Sequence, residues 1–174
     1  MGGQFGSWKT AAMASLVVAL VTVGAAIGWG AVQGGVRGGL NPQDYVDIQE
    51  LYATYARGYD TDEADGRVFA ETFVPEGTIT LRDRTLTGHA QLAAYAHERD
   101  KSGGVIQHWN ANMIVRPTAG GATASVYLIR VRGPSEGKPP ALEVVSNYTD
   151  TLVKTPAGWR SKDRTPGRKV MAVE

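Results

Sequence analysis

Histidine is the side chain that trades protons near neutral pH, and of the three in this 174-residue chain His108 sits where that property is usable. In QHWNANMIV the alternation of a strand puts His108, Asn110 and Asn112 on one face and Trp109, Ala111, Met113 and Val115 on the other. A polar face carrying an imidazole works as a general base if it looks into a pocket. A wall for that pocket is offered earlier in the chain. In DYVDIQELYATYARGYD, Ile48, Leu51, Tyr52, Tyr55 and Tyr59 recur with the period of one helical face, and the run ends in Asp60 just past Gly58. Buried phenols need partners, so such a helix suits a cavity with a polar floor. Residues five apart differ by about 140° in direction on an unbroken helix. Tyr55 and Asp60 therefore converge on one ligand only if the helix ends or bends near Gly58.

Phase adds further candidates. Arg130 alternates with Val126 and Leu128, which directs it inward, where a guanidinium requires a carboxylate from Asp60 or from a substrate. Tyr148 and Asn147 point in opposite directions on the next strand, and Tyr148 is taken as pocket-lining, with Tyr59 and Asn112 as further substrate contacts. Asp60 also has a structural use, because Asp60 and Glu63 have the spacing of a capping box. His89 and His97 lie too far apart for a two-ligand metal site on adjacent turns, and no His/Asp/Glu cluster has zinc spacing, so no metal is expected. No nucleophile elbow, P-loop or dinucleotide fingerprint occurs. Cofactor-free acid/base chemistry is what remains. With no cysteine, thiolate metal sites, cysteine nucleophiles and disulfides are excluded. A net charge of +1 provides no single-sign field to attract nucleic acid.

The elements that must position these residues are legible in outline. Asn41 is expected to cap a first helix from about Gln43 to Tyr59, with Pro42 in its first turn. A shorter second helix, capped by Asp60, contains Val68, Phe69, Thr72 and Phe73 and is stopped by Pro75 and Gly77. HAQLAAYAHERD reads as a third. Strand patterns then follow in VIQHWNANMIV, ATASVYLIRVR, ALEVVSNYTDTLV and WRSKDR. Helices first and hairpin-linked strands after indicate an α+β cone, about three helices on a curved antiparallel sheet. Residues 1–33 read as a signal-anchor or signal peptide, because residues 10–33 carry no charge and supply about the 20 apolar residues that span a bilayer. A glycine-rich linker covers 34–41, the folded domain 42–166 and a tail 167–174. Lys9 before the apolar run places the domain outside the cytoplasm, membrane-anchored or, after cleavage, secreted or periplasmic.

Four stretches, IQELYATYARGYDTDEAD with FAETFVPEGTI, LTGHAQLAAY, QHWNANMIV and SNYTDTLVKTPAGW, resemble in order and spacing the SnoaL-like branch of the nuclear-transport-factor-2-like superfamily. That group includes polyketide cyclases, ketosteroid isomerases, scytalone dehydratase and bile-acid dehydratases. In its dehydratases a tyrosine and an aspartate at the end of the first helix face a histidine on a central strand. The resemblance assigns those places to Tyr55, Asp60 and His108. The family's acidic residue on the following strand is replaced here by Arg130. The resemblance implies a homodimer and a lyase or isomerase, without cofactor, acting on a small hydrophobic steroid- or polyketide-like molecule. His108 would move the proton, Asp60 would assist it, and Tyr55 with Arg130 would meet the oxygen that gains charge. The alternative expectation is a non-catalytic, membrane-tethered binding or assembly domain, which predicts a filled cone or His108 in solvent.

Overall fold

Asn41 starts the first helix as its sequence suggests. Its side chain accepts from the Asp44 backbone N–H at 2.9 Å while the Asp44 carboxylate accepts from the Asn41 N–H at 2.9 Å, a reciprocal capping box ahead of α1 (Pro42–Thr61). Asp44 also accepts from Lys154 Nζ at 2.6 Å and Trp159 Nε1 at 3.0 Å, which fixes the helix start against the far strands. The computed structural model describes residues 39–98, 105–135, 139–167 and 171–172. The expected membrane or signal segment and most of the linker lie outside them. Among the described residues no helix is long and apolar enough to cross a membrane.

The helix does not break at Gly58. It runs on to a left-handed cap at Asp62 (φ 56°). Gly58 is instead a contact notch, since a Cβ there would stand 2.7 Å from the Phe69 backbone nitrogen, too close for any side chain. The second helix, α2 (Arg67–Ala70), is shorter than expected and is entered through Gly66, not through an Asp60 cap. Thr72 Oγ1 donates to the Phe69 carbonyl at 2.6 Å, and Phe73 already belongs to β1 (Phe73–Thr80), so Pro75 and Gly77 are strand residues. Next come β2 (Thr85–Thr87), α3 (Gly88–His97), β3 (Ile106–Thr118), β4 (Gly121–Arg132), β5 (Ala141–Thr155), β6 (Gly158–Pro166) and β7 (Met171–Ala172).

The strands form one sheet in the order β2-β1-β6-β5-β4-β3, with β7 on β5. The meander β3 to β6 is antiparallel, as its short connections require. β1 runs parallel to β6, so the sheet is mixed and not wholly antiparallel. β1 reaches the meander through α3, not through a hairpin, and nothing in that connection forces the direction to reverse. Helices packed on this curved mixed sheet make an α+β cone.

Residues paired across antiparallel strands share a face, so register alone assembles an inner row: His108 opposite Arg130, Leu128 opposite Ser146, Val126 opposite Tyr148, and Asp150 opposite Arg164. Trp109, Tyr127 and Ile114 are exposed on the other side. Within β3 strict alternation fails. A bulge between Ala111 and Ile114, with Asn112 in the left-handed region (φ 50°), resets the phase of β3. Met113 and Val115 consequently pack on the core with the His108 side, contrary to the alternating pattern, and Asn112 turns outward.

Candidate active site

The buried face of α1 and the inner face of the sheet enclose a cavity of about 620 Å³. Tyr55 and Tyr59 enter from α1, one turn apart; Tyr95 enters from α3; His108, Arg130 and Tyr148 enter from β3, β4 and β5. Five of the seven residues singled out in the sequence thus line one chamber. The other two, Asp60 and Asn112, lie behind it, on the groove between α1 and β3.

Asp60 nevertheless joins the site through His108. Its Oδ1 is 2.5 Å from His108 Nδ1 and its Oδ2 accepts the His108 backbone N–H at 2.8 Å. One carboxylate therefore fixes both the ring and the strand that carries it. A carboxylate only accepts, so Nδ1 carries the proton and Nε2 is the nitrogen whose lone pair can trade one. The histidine side chain is 6% exposed, and its ring meets Tyr59 edge-on at 5.0 Å between centroids. Convergence of Tyr55 and Asp60 on each other, which would need a broken helix, is not required: Tyr55 and Tyr59 face the chamber while Asp60, further round the same intact helix, holds the histidine from the side.

Tyr55 lies deeper. Its ring packs on Phe69 (4.9 Å) and Tyr148 (6.1 Å). Burial, then the neighbouring Tyr55, pushes the Tyr148 phenol well above its ordinary value; burial, then Tyr59, does the same to Tyr95. Both stay protonated donors. Arg130 does not meet Asp60. Its counter-charge is Glu143, whose Oε2 lies 3.0 Å from Nε without hydrogen-bond alignment, while Oε1 of the same carboxylate accepts from Arg132. Asn110, in phase with His108, donates to the Tyr52 carbonyl at 3.4 Å and ties β3 to α1.

Sequence reasoning missed Arg164 and Asp150. Arg164 is 3% exposed and Asp150 1%. Arg164 Nε and Nη2 donate to the two Asp150 oxygens at 2.8 and 2.6 Å, and the Tyr52 hydroxyl donates to Asp150 as well. The guanidinium lies over Tyr55 (3.8 Å to the ring centroid) and Tyr148 (4.5 Å), and Arg164 lines the cavity. Burial lowers its basicity, but the Asp150 charge and hydrogen bonds together with the Tyr55 and Tyr52 phenols more than offset this and hold it well above its ordinary value. The available signal was Asp150 itself: alternating in phase with Tyr148 and Leu152, it demanded an inward cation.

His89 is half-buried against the Phe73 carbonyl (2.9 Å). His97 pairs with Asp62 at 3.1 Å, and Asp62, Asp65 and His97 offer ligand atoms within 4.8 Å of one another, a grouping that sequence spacing concealed. Asp65 and His97 are exposed, and none of the three lines the cavity.

The family profile of the SnoaL-like domain matches residues 42–165, and the chain belongs to this family, within the nuclear-transport-factor-2-like superfamily. Aln2 from a Streptomyces species is 28% identical, with 74% of this chain and 93% of that one covered at a TM-score of 0.66. A putative scytalone dehydratase from Novosphingobium aromaticivorans is 17% identical, with coverages of 75% and 86% and a TM-score of 0.64. An NTF2-like protein with a cystatin-like fold from the same organism is 24% identical, covering 88% and 90% at 0.62. These last two show the fold alone. Comparison with proteins of curated function gives no match.

Proposed function

We propose that this domain is a cofactor-independent lyase or isomerase that moves a proton on a small hydrophobic, steroid- or polyketide-like molecule. The observation that carries the reading is a histidine on a cavity wall, 6% exposed, whose Nδ1 is held at 2.5 Å by a carboxylate that itself stays outside the cavity. A general base needs one nitrogen oriented and the other presented to substrate, and this geometry separates those two tasks. His108 takes the proton, Asp60 positions the ring and stabilises the imidazolium, and Tyr55 with Arg130 meets the oxygen that gains charge. Tyr59 and Tyr148 supply the aromatic wall. A non-catalytic domain would call for a filled cone or a histidine in solvent, and a chamber of about 620 Å³ with a buried imidazole favours neither. In the same reading residues 10–33 tether the domain to a membrane, where lipophilic substrates accumulate, with the domain outside the cytoplasm, and two copies form the working unit.

His108→Ala is the direct test. Dehydration or proton exchange on polyketide- or steroid-like ketones should fall by about 10²–10⁴-fold, the range that general acid–base groups contribute. Undiminished turnover in a folded variant refutes the proposal.

A further inference from the structure

The cavity wall has an uneven charge distribution. Arg82, Arg130, Arg164 and His108 line it, and no aspartate or glutamate among the described residues does. The carboxylates sit one layer back: Asp60 behind His108, Asp150 behind Arg164, Glu143 behind Arg130. Glu143 serves Arg130 and Arg132 together, so one of those two positive charges is uncompensated by it. Arg164 is the deepest of the cations. One edge of its guanidinium, Nε and Nη2, is used up by Asp150. The remaining amino group, Nη1, is buried and has no hydrogen-bond partner among the described residues. An unpaired buried donor is costly unless something accepts from it, and the aromatic rings of Tyr55 and Tyr148 that cover the guanidinium faces offer no in-plane acceptor to Nη1.

We infer that the ligand of this cavity is an aromatic or polycyclic molecule bearing an anionic oxygen group, a carboxylate or an acidic enol, which Arg164 Nη1 receives at the cavity floor. The inference rests on the reading of this chamber as the substrate site and specifies what enters it. Four phenol-bearing side chains, Tyr55, Tyr59, Tyr95 and Tyr148, supply flat apolar surface for the ring system. Arg164 supplies the planar donor suited to a carboxylate-type oxygen. Asp150 holds the guanidinium rigid before the ligand arrives, so little side-chain entropy is lost on binding. The anionic end is anchored at the fixed charge, and the rest of the molecule is laid along the wall that carries His108.

A matched pair of probes tests this on the full-length chain: 2-naphthoate and 2-naphthamide, alike in shape, the first anionic and the second neutral, titrated calorimetrically. The acid should bind at least about tenfold more tightly than the amide, the scale of one charge-assisted hydrogen bond. Arg164→Lys keeps the cation but removes the second amino group, and should erase most of that preference. Because Arg164 is a core residue and its variant can fail to fold, Arg82, the cavity cation with no part in the proton transfer, is tested separately in Arg82→Gln, where the preference should survive. Equal affinity for the two probes, binding of neither, loss of the preference in Arg82→Gln, or its retention in folded Arg164→Lys overturns the inference. The outcome is distinguishable from failure of the proton-transfer reading. A probe preference that fails while His108→Ala still abolishes turnover leaves an enzyme for neutral substrates; a preference that holds while His108→Ala is inert leaves an anion-binding domain.

Discussion

The Asp60–His108 and Asp150–Arg164 pairs are built alike. In each, a carboxylate outside the chamber grips a nitrogen base on its wall, at 2.5 Å and 2.6 Å respectively. They differ in what the base can do. A guanidinium keeps its proton at any pH a protein survives, so Asp150–Arg164 is a fixed dipole, sealed at 0% and 3% side-chain exposure and joined by Tyr52. An imidazole can hand a proton to or take one from a bound molecule, so Asp60–His108 is suited to proton transfer, and it sits less deeply, with Asp60 at 13% exposure. The same arrangement thus yields an anchor in one place and a proton carrier in the other.

The comparison breaks first on stability. Asp150→Ala leaves a buried guanidinium without its counter-charge and should destabilise the fold by roughly 3–5 kcal/mol in denaturant titrations. Asp60→Ala should cost only about 1–2 kcal/mol, since the lost hydrogen bonds are made by a carboxylate that is 13% exposed and not sealed in the core. Equal losses in the two variants would show that the pairs are not functionally distinct.

Turnover should reverse the ranking. Asp60→Asn keeps the size but loses the charge that steadies the imidazolium and one of the two acceptor oxygens that hold His108. A fall in kcat of about 10²-fold, at the lower end of general acid–base contributions, is expected with KM nearly unchanged, because Asp60 lies outside the cavity. A rise in KM with kcat intact would instead place Asp60 in ligand binding.

Alkaline titration sharpens the anchor side. Burial raises the phenols of Tyr52, Tyr95 and Tyr148 above their ordinary value of 10.0, with Asp150 the next cause at Tyr52. The folded state then binds more protons than the unfolded chain above pH 10. Stability is fully present below that pH and declines as pH rises, by about 1.4 kcal/mol per pH unit for each phenol that stays protonated. Tyrosinate absorbance should appear together with unfolding. Smooth ionisation of these phenols in a folded protein would mean that the cavity floor is wet.

The two pairs were not equally legible in the sequence. His108 stood out because an imidazole on a polar strand face has few structural duties, and α1 was readable from its period and its Asn41 cap. Asp60 was ambiguous, since its spacing to Glu63 fits a cap, and only the fold shows its carboxylate spent on His108. Arg164 was hidden inside the charged run SKDR, which resembles a solvated strand, and its burial follows from register with Asp150 across β5 and β6. The parallel placing of β1 escaped for a related reason: long-range pairing leaves no local signature. Arg130 lines the cavity, but the protein carboxylate beside it is Glu143 and not Asp60, because Glu143 reaches it from a register shift in β4–β5 that alternation cannot anticipate.

The smallest expected effect concerns the device that keeps His108 and the core in phase on one strand. Beyond His108, β3 must bring Met113 and Val115 back to the helices, and strict alternation from residue 108 would send both to solvent. The bulge at Asn112 supplies the missing half-period by adopting φ 50°, a conformation that costs a residue with a Cβ about 1–2 kcal/mol and asparagine less. Asn112→Gly should therefore be neutral within a few tenths of a kcal/mol, and Asn112→Ala should lose roughly 1 kcal/mol in the denaturation midpoint. The side chain itself points away from the cavity, so the glycine variant should bind the naphthoate probe as the parent does. A glycine variant that folds stably yet loses probe binding would give Asn112 a ligand-facing role and would move the boundary of the site across the strand.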